Sequence, residues 1–134
     1  MTETSIRAYD VLAEKPVQVI IRDGKLEDYH PISPADGAIS LEALPYVAPG
    51  FFDLQVNGYR GRDFTSSQLA VDDVYDVANE LWQFGVTRFL PTVITQSLEV
   101  LVRCVRTIAQ AVNEFPILRE RIPGIHLEGP YISA

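Results

Sequence analysis

The sequence predicts an α/β protein, and three observations carry that prediction. Between Phe51 and Glu128, short continuous apolar runs alternate with apolar residues spaced three and four apart, in the order strand, helix, strand, helix, strand. Such alternation implies parallel strands joined by right-handed crossovers. Each of the three strands has polar residues at its carboxyl end: Gln55 and Asn57, then Thr92, then His126 and Glu128. That is the active-face arrangement of a (β/α) barrel or of an open doubly wound sheet. Ahead of it, residues 1–49 read as β and turn. Pro49-Gly50 therefore divides a small β unit (1–49) from a β/α unit (50–134).

Composition narrows the function classes. With 47% hydrophobic and 22% charged residues, the 134-residue chain is globular and long enough to bury a sizeable core. A net charge of −7 argues against nucleic acid or an anionic membrane as partner, because both demand clustered cations. Met1-Thr2-Glu3-Thr4-Ser5 has no basic region leading into an apolar core, and no apolar run nears the ~20 residues of a membrane span. The expected setting is reduced and cytoplasmic. Cys104 is the single cysteine and cannot form an internal disulfide; it falls on an apolar helical face, which gives it a packing role.

In chain order, Val17-Gln18-Val19-Ile20-Ile21 is a strand, Asp23-Gly24 a tight turn, and Leu26 to His30 a weakly patterned return. The prolines between Pro31 and Pro45 exclude a long helix and suit short strands around Ile39-Ser40-Leu41. His30, beside Pro31, reads as a solvated loop residue. Phe51 to Val56 carries large apolar residues on both faces and reads as a parallel strand buried on both sides. Gln55 and Asn57 share one of those faces. An amide pair before Gly58 can also serve only to satisfy loop backbone groups.

Val71, Val74, Tyr75, Ala78, Leu81 and Trp82 make the apolar face of a helix, both aromatic residues reading as core. Asp72 and Asp73 suit its first turn, and Gly85 its end. Val86 to Leu90 is the next strand, ended by Pro91, with Thr92 and Thr95 in the following loop. Ser97 caps a second helix carrying Leu98, Leu101, Val102, Val105, Ile108, Ala109 and Val112, with Arg103 and Arg106 on its solvated side. Phe115-Pro116 ends it, and a short polar connection leads to the closing strand. There Ile122, Ile125 and Leu127 read as buried, while His126 and Glu128, two apart, emerge side by side. Gly129-Pro130 stops the strand. A strand end whose His and Glu simply face water is the plain alternative. There is no Gly-rich phosphate loop, no Cys-x-x-Cys, no paired metal-ligand histidines and no G-x-S-x-G elbow.

Three stretches carry a resemblance. Pro49-Gly50-Phe51-Phe52-Asp53-Leu54-Gln55-Val56-Asn57-Gly58, Phe89-Leu90-Pro91-Thr92-Val93-Ile94-Thr95 and Gly124-Ile125-His126-Leu127-Glu128-Gly129-Pro130 resemble, in order and spacing, motifs of the N-acetylglucosamine-6-phosphate deacetylases. The resemblance runs from about Val17 to the end. It implies the amidohydrolase superfamily: the first strands and helices of a metal-dependent (β/α)8 barrel, preceded by part of a small β-sandwich. It implies hydrolysis of N-acetylglucosamine 6-phosphate to glucosamine 6-phosphate and acetate, so an amino-sugar phosphate is the implied partner. By position, Glu128 corresponds to the carboxylate that binds one catalytic divalent metal, with zinc expected and iron or manganese as alternatives. Gln55 and Asn57 stand where many amidohydrolases carry an H-x-H metal pair. The resemblance therefore implies a single-metal site whose pocket the amides line, with His126 on the site wall.

A complete barrel needs ~250 residues, and this sequence ends at Ala134, after the third strand. The family's two metal-binding histidines, its catalytic aspartate (the general base) and its sugar and phosphate contacts are expected beyond that point. No catalytic residue is assigned within 1–134, and the chain alone is expected to be inactive. A free sheet edge and uncovered helices are expected to drive self-association or homo-oligomer formation. Two other readings stay open: a non-enzymatic small α/β binding or assembly protein, and an amidohydrolase with a different amide substrate.

Overall fold

A computed structural model describes residues 2–32, 40 and 43–129, within two compact units, Met1–Pro49 and Gly50–Ala134. In the first unit, β1 (Glu3–Asp10), β2 (Lys15–Arg22), β3 (Lys25–Pro31) and β4 (Tyr46–Val47) form one sheet in the order β3-β2-β1-β4. All pairs are antiparallel except β1 with β4. Asp23 and Gly24 both have positive φ, 49° and 78°, which is the two-residue turn whose twist matches the flanking strands. The first five residues of β1, Glu3-Thr4-Ser5-Ile6-Arg7, are exposed, so pairing with β2 and not burial makes them a strand. His30 lies inside β3 opposite Gln18, not in a loop; it is exposed, with Nδ1 3.1 Å from Asp28. Pairing continues to Pro31 because β3 is an edge strand, where a missing donor is tolerated. The core of this unit is small: Ala8, Val17 and Val19, with Ile21 and Val47 against them. The expected strand pieces at Ile39 and Leu41 lie outside the described residues.

The second unit runs β5 (Phe51–Val56), a hairpin of β6 (Gly58–Tyr59) and β7 (Arg62–Asp63), α1 (Val71–Trp82), β8 (Val86–Ile94), α2 (Leu98–Glu114), a single turn α3 (Leu118–Arg121) and β9 (His126–Glu128). The parallel sheet has the order β5-β8-β9. Helix ends form as the residue types dictate. The Asp73 carboxylate accepts from the Ala70 backbone N–H at 2.9 Å, and Ser97 Oγ from that of Val100 at 3.4 Å. Val74, Val77, Ala78 and Leu81 of α1 and Cys104, Ile108 and Ala111 of α2 are buried with Val56, Phe64, Phe89, Val93, Leu118 and Ile122.

Several elements depart from the sequence reading. β8 does not stop at Pro91 but continues to Ile94. The β5–β8 register shifts between Asp53 and Val56, so the ladder is already irregular where Pro91 offers no donor. β5 is not buried on both sides: Phe51, Phe52 and Leu54 are 69%, 49% and 60% exposed, because β5 is an edge strand. Trp82 is 50% exposed and stacks under the Arg121 guanidinium at 4.3 Å; Tyr75 is half-buried, stacked on Phe115 at 4.4 Å. The buried face of α2 is centred on Cys104, Ile108 and Ala111, which leaves Leu98, Val102 and Ala109 exposed. Leu127, at the outer edge strand β9, is exposed as well. The connection before β9 is anchored by α3, with Leu118 fully buried.

Candidate functional site

A parallel sheet gathers the carboxyl ends of its strands at one end. Register partners there are Thr92 with His126 and Ile94 with Glu128. β8 separates β5 from β9, yet side chains of the outer strands meet across it. Gln55 Nε2 donates to Glu128 Oε2 at 2.7 Å, and His126 Nδ1 lies 3.2 Å from the Leu54 carbonyl oxygen. A carbonyl only accepts, so in this contact Nδ1 is the donor. The hydrogen bond to an ionised carboxylate is the stronger of the two contacts. The period-two spacing of His126 and Glu128 thus delivers both to the neighbourhood of β5.

Asn57 sits one residue past β5. Its backbone carbonyl accepts from Phe64 N–H at 2.9 Å, and it borders a shallow concavity with Tyr59, Arg60, Thr65 and Ile94. Among the described residues, no hydrogen bond joins its side chain to Gln55, His126 or Glu128. The loop beyond it is a tight hairpin turning at Arg60-Gly61, with φ of 49° and 83°. Gly58 is required, since a Cβ there would collide with the Arg62 carbonyl. Arg62 fastens the hairpin to α1, with Nη2 2.7 Å from Asp76 and Nε and Nη1 each 3.4 Å from Asp73 and Glu80. Arg60 Nε adds a 3.1 Å approach to Glu80.

Two threonines that spacing alone did not mark hold the strand ends. The buried Thr65 accepts at Oγ1 from Ile94 N–H at 3.1 Å, and Thr95 Oγ1 donates to the Glu128 carbonyl at 3.2 Å. A threonine next to a strand end is too common a pattern to single out in a sequence. Cys104 is fully buried, its Sγ donating to the Ser66 carbonyl at 3.4 Å, and burial pushes the thiol up from its ordinary range. It packs, as its place on the helix face predicts.

The donor set for a metal is incomplete. Among the described residues, no group of three or more His, Cys, Asp or Glu side chains is placed to hold a metal ion. Glu128 offers one carboxylate, and amides such as Gln55 and Asn57 are poor ligands for zinc. Zinc sites take three or four protein ligands, so these residues do not fit a bound ion by themselves. Beside the outer edge of β9 runs an apolar groove bounded by Val93, Leu98, Leu101, Val102, Val105 and Leu127. No helix among the described residues is long and apolar enough to cross a membrane.

No family model matches the chain. Over 138 residues it is 36% identical to the N-acetylglucosamine-6-phosphate deacetylase of Caenorhabditis elegans, a match covering 90% of this chain and 30% of that protein. The crystal structure of the deacetylase of that name from Thermotoga maritima superposes with a TM-score of 0.75 at 26% identity, covering 98% of this chain and 33% of the other. A Mycobacterium smegmatis deacetylase variant, solved in complex with N-acetyl-D-glucosamine-6-phosphate, shares the fold at a TM-score of 0.74 and 23% identity, covering 99% of this chain and 34% of the other. The chain spans 21–32% of the length of the curated relatives it matches. The curated homologues and structural neighbours of this chain are N-acetylglucosamine-6-phosphate deacetylases, and it matches the N-terminal part of their fold.

Proposed function

We propose that this chain is an N-terminal portion of a metal-dependent N-acetylglucosamine-6-phosphate deacetylase. Residues 1–49 contribute part of a small β-sandwich and residues 50–134 the first three strands of a (β/α)8 barrel. The observation that carries the reading is the 2.7 Å contact of Gln55 with Glu128 across β8, at the end of a parallel sheet where such folds place their chemistry. Glu128 is proposed as a ligand of a single divalent ion, zinc first, with iron or manganese as alternatives. Gln55, Asn57 and His126 line the pocket. Held by Glu128 and by ligands from outside residues 1–134, such an ion would supply Lewis-acid chemistry toward the substrate amide and water. Gln55 steadies the Glu128 carboxylate from one side, and the bond from His126 to the backbone of β5 keeps the imidazole on the wall. The remaining ligands, the general base and the sugar-phosphate contacts come from outside residues 1–134 in this reading. The setting is proposed as cytoplasmic.

The test is acetate release from N-acetylglucosamine 6-phosphate with zinc supplied. The purified chain is expected to release none. The same chain fused in register to the remaining two thirds of the Thermotoga maritima relative is expected to be active, and Glu128→Gln to reduce it to background. A fusion equally active with and without Glu128→Gln would overturn the assignment. Self-association through exposed β5 and the groove beside β9 is proposed alongside. Sedimentation velocity finding monomer alone at high concentration would remove it.

A further inference from the structure

We infer that Thr95 is a positioning residue, acting through Glu128 as a latch between the β8–α2 loop and the end of β9. The inference deepens the reading of Glu128 as the working carboxylate and rests on it. Pairing of β8 with β9 ends at Ile94 and Glu128, so the Glu128 carbonyl stands at the limit of the ladder. Thr95, the first residue past β8, meets it with its hydroxyl at 3.2 Å, a side chain doing what the next backbone donor would do.

A second observation points to the same place. Gly129 follows Glu128 with a φ of +98°, in the region that favours glycine, and a Cβ there would collide with Thr95 Oγ1. The missing side chain at 129 is what lets the hydroxyl approach. Thr65 completes the arrangement by holding Ile94, the register partner of Glu128. β9 pairs over only three residues, so a strand end this short depends on such pins. The latch sets the backbone from which the Glu128 carboxylate reaches Gln55. Thr95 is an exposed loop residue, and its effect on the reaction passes through the direction of that carboxylate.

The readout is the Gln55 side-chain amide in nitrogen-15 NMR spectra of the 134-residue chain. In the parent protein its Nε2 protons are expected to be displaced from those of exposed glutamines and to show a cross-peak to the Glu128 side chain. Thr95→Val keeps the shape, removes the hydroxyl and is expected to lose both signatures, with the α1 and α2 backbone resonances unmoved. Thr95→Ser is expected to restore them, and Gly129→Ala to lose them. Retention of both signatures in Thr95→Val overturns the inference. Their loss in Thr95→Ser overturns it equally, since the hydroxyl would not then be the active element. If Thr95→Val fails to fold, the serine and Gly129→Ala variants decide by the same criteria. These signatures are independent of acetate release, so an inactive fusion protein bears on the deacetylase reading and not on the latch.

Discussion

Arg62→Met tests how the loop beside the site is held. The guanidinium meets three carboxylates of α1 in one fork, but only the Asp76 contact, at 2.7 Å, is a short hydrogen bond; Asp73 and Glu80 lie at 3.4 Å. Asp76 is also the most exposed partner, with 47% of its side chain accessible, so its contribution is heavily screened. Glu80, at 23%, is the least exposed, yet it keeps Arg60 when Arg62 is removed. Exposed pairs contribute roughly 0.2–1 kcal/mol each, which puts the loss at about 1–2 kcal/mol. For a unit of this size that lowers the midpoint of thermal unfolding by about 5–10 °C. The assay is circular dichroism at low ionic strength and again at ~0.5 M salt, where the difference between the proteins should shrink. An Arg62→Met variant as stable as the parent at low salt would refute the reasoning. So would Asp76→Asn costing as much as Arg62→Met, which would reduce the fork to one hydrogen bond.

Two further outcomes follow from burial. Ile108→Ala empties a fully buried position on α2 and is expected to cost about 2–5 kcal/mol in urea unfolding; a loss under ~1 kcal/mol would show that the site collapses to fill the space. Cys104 is expected to resist thiol reagents until the chain unfolds, and prompt labelling of the native protein would contradict its burial. Burial, followed by the negative charge of Asp63, raises its pKa in the folded state. The unfolded chain therefore loses the thiol proton first. The stability this group contributes is whole below the ordinary thiol value of ~8.5 and declines as pH rises through it. The parent should lose thermal stability more steeply above pH ~9 than Cys104→Ala, and parallel profiles would count against the shift.

Much of the β/α unit was legible along the chain, because helix periodicity, caps and the two-residue strand period are local properties. α1 begins and ends where its apolar stripe does, and Ser97 caps α2 as its residue type suggests. His126 and Glu128 emerge together for the same reason. What local patterns do not encode is the partner. Glu3 to Arg7 is a strand only because β2 lies beside it, and Pro91 stays in β8, paired with Val56, just past a shift in the β5–β8 register. Phe51, Leu54 and Leu127 are apolar, but exposure depends on what lies over a strand, and these lie on the two edges of a three-stranded sheet. The contact of Gln55 with Glu128 spans 73 positions, and that of Thr95 with Glu128 spans 33. Spacing supplied the groups; the strand order β5-β8-β9 decided which of them could touch.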